Sequence, residues 1–427
     1  MASPYPDGDR EKVASKLPPG LQYELKVRAA ELGLDMQDAV TTAVTDWRAS
    51  TTSSPDIDTG GAKSFSTWLP NGLYEQFKDT CNSRGVSYIQ GLAQSVRAWL
   101  DAHPSPNANP HPVEPRRLIV GNQKGGVGKT SVSLGLGEAH AEDAEEGAQE
   151  LRRFIEALAH HELKRMGRKR ADLLEMLEAR TTGGQRVLVV DYDPQGHLSS
   201  QLGIPWIPRG EDSLVTHMVG EGQLHIRDLV VPVDDPRYAG RLHVLPASFD
   251  AFLLDSKITM ATASVRGFQK EVALERALRP LEDDYDVIVI DCPPSLGLAM
   301  DAALYYGRRR RNEAPNRSGV VIPVQAEDSS AIAYEILIEQ MEELCKDLGL
   351  EIDYLGIVVN LYDSRRGFVA TSSLESWQAI EDQTVLAVIG DLKEQREAVR
   401  MQQPLLSYAP ASAQANIMRL IALGAGQ

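Results

Sequence analysis

The stretch RRLIVGNQKGGVGKTSVSLGLG, residues 116–137, confines this chain to few folds. An apolar run (Leu118 to Val120) enters a turn with glycines at 125, 126 and 128, and a helix-compatible segment follows. A strand with no polar side needs cover on both faces, which points to a mostly parallel sheet. The glycines let backbone N–H groups turn inward around an anion. With Gly125, Gly126, Val127 and Gly128 as the cradle, Lys129 can reach β- and γ-phosphates, the Thr130 hydroxyl can ligate Mg²⁺, and Ser131 sits in the first helical turn. The helix N-terminus adds its dipole. Two residues depart from the pattern G-x-x-x-x-G-K-[ST]. Gln123 stands where the first glycine belongs, and Lys124 adds a second lysine.

The 427 residues suggest two to four domains. No apolar run approaches the ~18 residues of a membrane helix, and the opening MASPYPDGDR has no secretory pattern. Cys81, Cys292 and Cys345 lack metal-ligand spacing, which fits a reducing cytoplasm and excludes a disulfide framework or an iron–sulfur cluster. A net charge of −16 disfavours nucleic-acid binding by bulk charge, so DNA contact would need local basic patches.

Two Pro- and Ser-rich linkers, 49–62 and 102–115, isolate two segments that repeat each other. KLPPGLQYELKVRAAELGL aligns without a gap on WLPNGLYEQFKDTCNSRGV at an offset of 52: Leu17 meets Leu69, Gly20 meets Gly72, Gly33 meets Gly85 and Trp47 meets Trp99. Each copy alternates apolar and polar residues (Val13, Ser15, Leu17; Phe65, Thr67, Leu69), which reads as a strand. Helices follow over about 20–32 and 72–84, ended by Gly33 and Gly85, and second helices are capped by Asp35 and Ser87.

This strand–helix–helix unit resembles the ribbon-helix-helix DNA-binding fold. In that fold two strands pair into a ribbon that enters the major groove. The resemblance implies that Lys12, Ala14, Lys16, Ser64, Ser66 and Trp68 face the bases, with Lys12, Lys16, Ser64 and Ser66 as DNA-binding candidates. The competing reading is a dimerisation or docking module that keeps the fold without the chemistry. Residues 1–110 hold 10 lysines and arginines against 13 acidic residues.

From residue 116 onward, K-G-G-V-G-K-T resembles the deviant Walker A motif of the ParA/MinD superfamily. RVLVVDYDPQG resembles the family's D-x-D-P-Q-G segment, and YDVIVIDCPPS its Walker B strand. IPVQ at 322–325 and the C-terminal YAPAS complete the order. The resemblance implies a doubly wound, mostly parallel α/β domain that binds ATP and Mg²⁺. Lys124, Lys129 and Asp193 would be catalytic, with Lys124 acting in trans on the partner's nucleotide, and Thr130 and Asp291 would hold the metal. His197 and Cys292 read as a surface residue and core packing.

The resulting organisation is one unit at 1–48, a second at 63–102, a linker at 103–115 and an ATPase domain at 116–427. The interval from Lys129 to Asp191 is ~40 residues longer than in the family, so a charged helical insertion, read as a hairpin, is expected at about 138–182. Its KRMGRKR run is a solvated helix face or a DNA contact. Arg308, Arg309, Arg310 and Arg311 form a basic loop that either tracks DNA phosphates or neutralises an acidic surface. Gly390 and Asp391 replace the family's Pro-x-Asn, which leaves adenine recognition without a residue.

The expected function is a ParA-type ATPase for plasmid or chromosome partition, cytoplasmic and nucleoid-associated. Its partners would be nonspecific DNA, operator DNA through the N-terminal module, a ParB-like centromere-binding protein and a second copy in an ATP-dependent homodimer, with no membrane partner. The alternative is a nucleotide-switched DNA-binding transcriptional regulator without a segregation role.

Overall fold

The computed structural model describes residues 9–51, 54–105, 114–180, 182–381 and 383–425. The opening MASPYPDG and parts of both linkers, 52–53 and 106–113, lie outside the described residues. The chain divides into two compact units. One holds Met1–Ala108, Thr262–Gln269 and Glu343–Leu350, and the other holds the remainder.

In the smaller unit the two repeats pair with each other. β1 (Arg10–Leu17) and β2 (Lys63–Pro70) form an antiparallel two-stranded ribbon. Val13, Leu17, Phe65, Thr67 and Leu69 point into a core. They meet α1 (Pro19–Glu31), α2 (Met36–Ala49), α3 (Leu73–Arg84) and α4 (Tyr88–Ala102). Trp47 anchors that core, with its ring tilted against Phe77 at 5.7 Å and covered by the Arg84 guanidinium at 4.3 Å. Gly33 and Gly85 take φ of 67° and 68°, as expected of residues that stop a helix. The two caps differ. Ser87 accepts from Gln90 N at 3.1 Å, whereas the Asp35 side chain makes no capping bond.

The larger unit is built on the apolar runs. β3 (Arg116–Val120), β4 (Val187–Asp191) and β7 (Val287–Asp291) have no solvent face, so they occupy the middle of an eight-stranded sheet. β5 (Val231–Pro232), β6 (Leu242–Leu245), β8 (Gly319–Gln325), β9 (Tyr354–Tyr362) and β10 (Val385–Gly390) complete it in the order β10-β9-β8-β3-β7-β4-β6-β5. All neighbours are parallel except β5 with β6. The chain leaves β3 in one direction, returns at β7 and then fills the other side. This reversal opens a crevice at the carboxyl ends of the central strands.

α5 (Lys129–Ala141) runs past the expected start of the insertion and is almost wholly buried. The insertion holds three helices, α6 (Ala144–Ala157), α7 (His160–Arg165) and α8 (Arg170–Ala179), where a hairpin was expected. Part of its basic run is used locally. Arg165 lies 5.1 Å from the Tyr362 ring, and Arg170 donates to the carbonyls of Ile155 and Leu158. The last helix, Ala413–Gly424, is packed in the core, and its Arg419 meets Glu142 at 2.6 and 2.8 Å. No helix among the described residues is long and apolar enough to cross a membrane.

Within α5, the fully buried Glu138 accepts from Leu405 N at 3.2 Å and Leu406 N at 2.7 Å. Burial pushes its carboxyl up to about 7 from an ordinary 4.5. The folded state therefore keeps a proton that the unfolded chain has already released. The resulting stability is complete below about pH 4.5 and drains away as pH rises to about 7. Glu138→Gln should remove on the order of 3 kcal/mol of that pH dependence. Denaturant unfolding of wild type and variant at pH 5 and pH 8 measures it, and equal slopes would refute the assignment.

Candidate functional site

Strand register sets the site. Asp191 at the end of β4 is opposite Asp291 at the end of β7, and Asp291 is opposite Val120, the last residue before the glycine loop. Two carboxylates and the loop therefore meet at one level of the sheet.

Three side-chain amides hold the loop. Buried Asn122 donates to Pro323 O at 2.7 Å and accepts from Lys124 N at 3.0 Å. Gln325 donates to Gly126 O at 3.0 Å, and Asn360 to Val127 O at 3.0 Å. A peptide's C=O and N–H point opposite ways. Tying these carbonyls back aims the N–H groups of Val127 and Gly128 into the cradle. Gly126 and Gly128 take φ of 74° and 89°, and a Cβ on Gly128 would fall 1.8 Å from Asn360 Nδ2. Gln123 has no positive φ, so the lost first glycine leaves no strain.

The two lysines point to different partners. Lys129 is buried and donates to Lys124 O at 2.9 Å. Burial pushes its ammonium down, and Asp291 and Asp193 oppose that push. The Lys124 ammonium meets the Glu327 carboxylate, the Ser329 hydroxyl at 2.8 Å and the Ser330 hydroxyl at 3.4 Å.

Behind the loop, Asp291 is fully buried and accepts from Ser133 Oγ at 2.8 Å, with the Thr130 hydroxyl nearby. Burial and the neighbouring Asp191 push it up to about 8. Burial likewise pushes Asp191 up to about 6, although Ser199, in the short helix α9 (His197–Gln201), donates to it through N at 2.8 Å and Oγ at 2.6 Å. One oxygen on each carboxylate, Asp191 Oδ1 and Asp291 Oδ2, is buried without a partner. Buried orphan carboxylate oxygens beside a hydroxyl suit a hard divalent cation. Among the described residues no cluster of three or more His, Cys, Asp or Glu could cage a metal unaided. Mg²⁺ fits these conditions, since it binds through one or two protein ligands plus water and phosphate oxygens. Asp193 is buried nearby and accepts from Gln195 N at 2.9 Å.

The remaining sequence candidates lie elsewhere. Ser131 is half-buried in the first turn of α5. Lys12, Lys16, Ser64 and Ser66 are exposed on the ribbon. His197 is exposed and Cys292 fully buried. The phosphate-tracking reading of the arginine loop does not hold for three of its residues. Arg308 meets Glu275 at 2.5 Å, Arg309 binds Asp353 and Glu351, and buried Arg310 meets Glu282 at 2.7 Å, Glu114 at 2.8 Å and Glu275 at 3.0 Å. Burial would raise the Glu275 carboxyl, but Arg308 and Arg310 hold it well below the usual range. Only Arg311 is exposed. Sequence reading also missed Asn122, Asp191, Gln325, Glu327 and Asn360. Asp191 and Gln325 lie in the quoted D-x-D-P-Q-G and IPVQ segments, and the signal for the others was only their place at or just past strand ends.

A glycine loop at the head of a doubly wound sheet, a buried lysine and paired strand-end carboxylates define a P-loop nucleotide-binding protein. Residues 171–353 match the AAA domain family. An uncharacterized protein of Mycobacterium tuberculosis is 26% identical over 347 residues, covering 81% of this chain and 86% of that protein. The chromosome-partitioning ATPase Soj of Thermus thermophilus is 29% identical over 307 residues, covering 72% of this chain and 94% of Soj. Cyanothece McdA, solved as an ATP complex, shares the fold with a TM-score of 0.52 at 16% identity, over 74% of this chain and 98% of McdA. The chain is thus similar in sequence to chromosome-partitioning ATPases and in fold to McdA.

Proposed function

We propose that this protein is a ParA-type partition ATPase whose nucleotide state controls dimerisation and DNA binding. The observation that carries the reading is the division of labour between the two loop lysines. Lys129 is turned back into its own cradle. Lys124 is held outside it by Glu327 and two serines, where a second copy can draw it away.

In this reading the loop N–H groups and Lys129 bind the ATP phosphates. Thr130 and Asp291 hold Mg²⁺, which neutralises charge on the transferring phosphoryl group. Asp193 orients the attacking water. Lys124 of the second copy stabilises the transition state in trans. Large apolar side chains support a dimer face on this edge: Phe252, Met260, Ile332, Ile336, Phe368 and Val369 are exposed, on segments that follow the carboxyl ends of β6, β8 and β9. Nonspecific nucleoid DNA, a ParB-like activator and operator DNA at the ribbon complete the proposed cycle. The competing regulator without a segregation role predicts normal plasmid or chromosome inheritance when nucleotide turnover is abolished.

The decisive experiment is sedimentation of wild type with ATP·Mg²⁺ or ADP, with and without nonspecific DNA. Dimerisation and DNA binding only with ATP are expected. Nucleotide-independent behaviour would sink the switch. The loop brace gives a second test. Gly128→Ala should weaken binding of a fluorescent ATP analogue at least about tenfold, because it forces a strained φ and displaces Asn360. Asn360→Ala, which removes the amide but not the glycine, should show a smaller loss in the same titration.

A further inference from the structure

The ribbon is two-fold in its backbone and inner face but not in its outer face. The repeat offset makes Val13 equivalent to Phe65, Ser15 to Thr67 and Leu17 to Leu69, so the inward positions keep their character. The strand register pairs Lys12 with Trp68, Ala14 with Ser66 and Lys16 with Ser64. A pseudo-dyad therefore passes through the Ala14–Ser66 pair. Across it the outward residues are unlike at every position: Lys12 corresponds to Ser64, Ala14 to Ser66 and Lys16 to Trp68. Lys12, Ala14, Lys16, Ser64 and Ser66 are exposed and Trp68 is half-exposed. Nearby Arg10 does not restore the balance, since Asp38 holds it at 2.6 Å.

We propose that one chain's ribbon reads a non-palindromic DNA segment, with β1 and β2 recognising different bases. This rests on the operator-binding reading above. A ribbon made from two identical chains must present the same residues on both sides of its dyad, and it selects an inverted repeat. The tandem arrangement lifts that constraint. Lysine donates to the O6 and N7 acceptors of guanine, serine serves either base type, and an apolar surface meets the thymine methyl. The β1 side is therefore matched to guanines under Lys12 and Lys16. These lie ~13 Å apart along the strand, roughly four base-pair steps. The β2 side is matched to a thymine-containing step under Trp68.

The test is selection from a random-sequence DNA duplex library by the full-length protein with ADP, followed by sequencing. A motif without inverted-repeat symmetry is expected. Trp68→Ala should lower discrimination about tenfold at base pairs on one side of that motif and leave the other side unchanged. The triple variant Ser64→Lys, Ser66→Ala, Trp68→Lys makes the two outer faces alike without touching the core. It should shift selection to an inverted repeat. A palindromic wild-type motif would overturn the asymmetric reading and leave operator binding standing. No enriched motif, with a far-ultraviolet spectrum showing the module folded, would overturn both.

Discussion

Lys124→Ala is expected to bind ATP with an affinity within about threefold of wild type and to lose roughly a thousandfold in turnover, the scale of a missing trans-acting cation in phosphoryl transfer. The reason lies in where the ammonium sits. Lys124 takes no part in bracing the loop through its side chain; its backbone N–H and carbonyl do that work, and alanine retains both. The variant should also fail to dimerise with ATP. Glu327→Gln separates the two states of this lysine. It removes the carboxylate that holds Lys124 at home and should raise the dimer fraction with ATP. Lys124→Ala turning over ATP at the wild-type rate would end the trans-acting model.

Asp291→Asn should move stability and activity in opposite directions. The wild-type carboxyl is pushed up to about 8 by burial and by Asp191. The unfolded chain releases that proton near pH 4, so folding loses stability as pH rises from there to about 8. Asparagine has no such proton to lose. At pH 8 without Mg²⁺ or nucleotide the variant should be more stable by roughly 5 kcal/mol, read as a higher denaturant midpoint. The same change removes the proposed cation ligand, and Mg²⁺-dependent hydrolysis should fall at least about a hundredfold. A variant that is both less stable and fully active would show that Asp291 is a packing residue. Charge strain held at a working site in this way is a common reason that such sites lower the stability of the fold around them.

Much of the fold was legible because its signals are local. Uninterrupted apolar runs at β3, β4 and β7 can only be interior strands of a covered sheet, and the glycine spacing at 125–128 fixes the loop between β3 and α5. The gapless repeat likewise placed both strands of the ribbon and all four of its helices. What escaped is non-local. Asn122 just past β3, Gln325 on β8 and Asn360 on β9 are ordinary amides, and only the sheet order brings them to one loop. The arginine loop shows the same limit from the other side. Four adjacent guanidinium groups look like a surface patch, but Glu114, Glu275 and Glu282 lie far away in sequence and fold onto them. The insertion was visible as excess length and charge, yet the helix break at 158–159 carries too weak a signature to distinguish three helices from two.

Joining both strands of the ribbon in one polypeptide has a consequence for dilution. A ribbon assembled from separate chains dissociates as protein concentration falls, whereas here the partner strand is always present at the effective concentration set by its tether. The module stays assembled at any cellular abundance, and in the proposed cycle mass action would govern only the pairing of whole chains. Each such pairing would carry two complete modules. ATP would then change the number of DNA grips per particle from one to two, and clustered sites would gain avidity that an isolated site cannot.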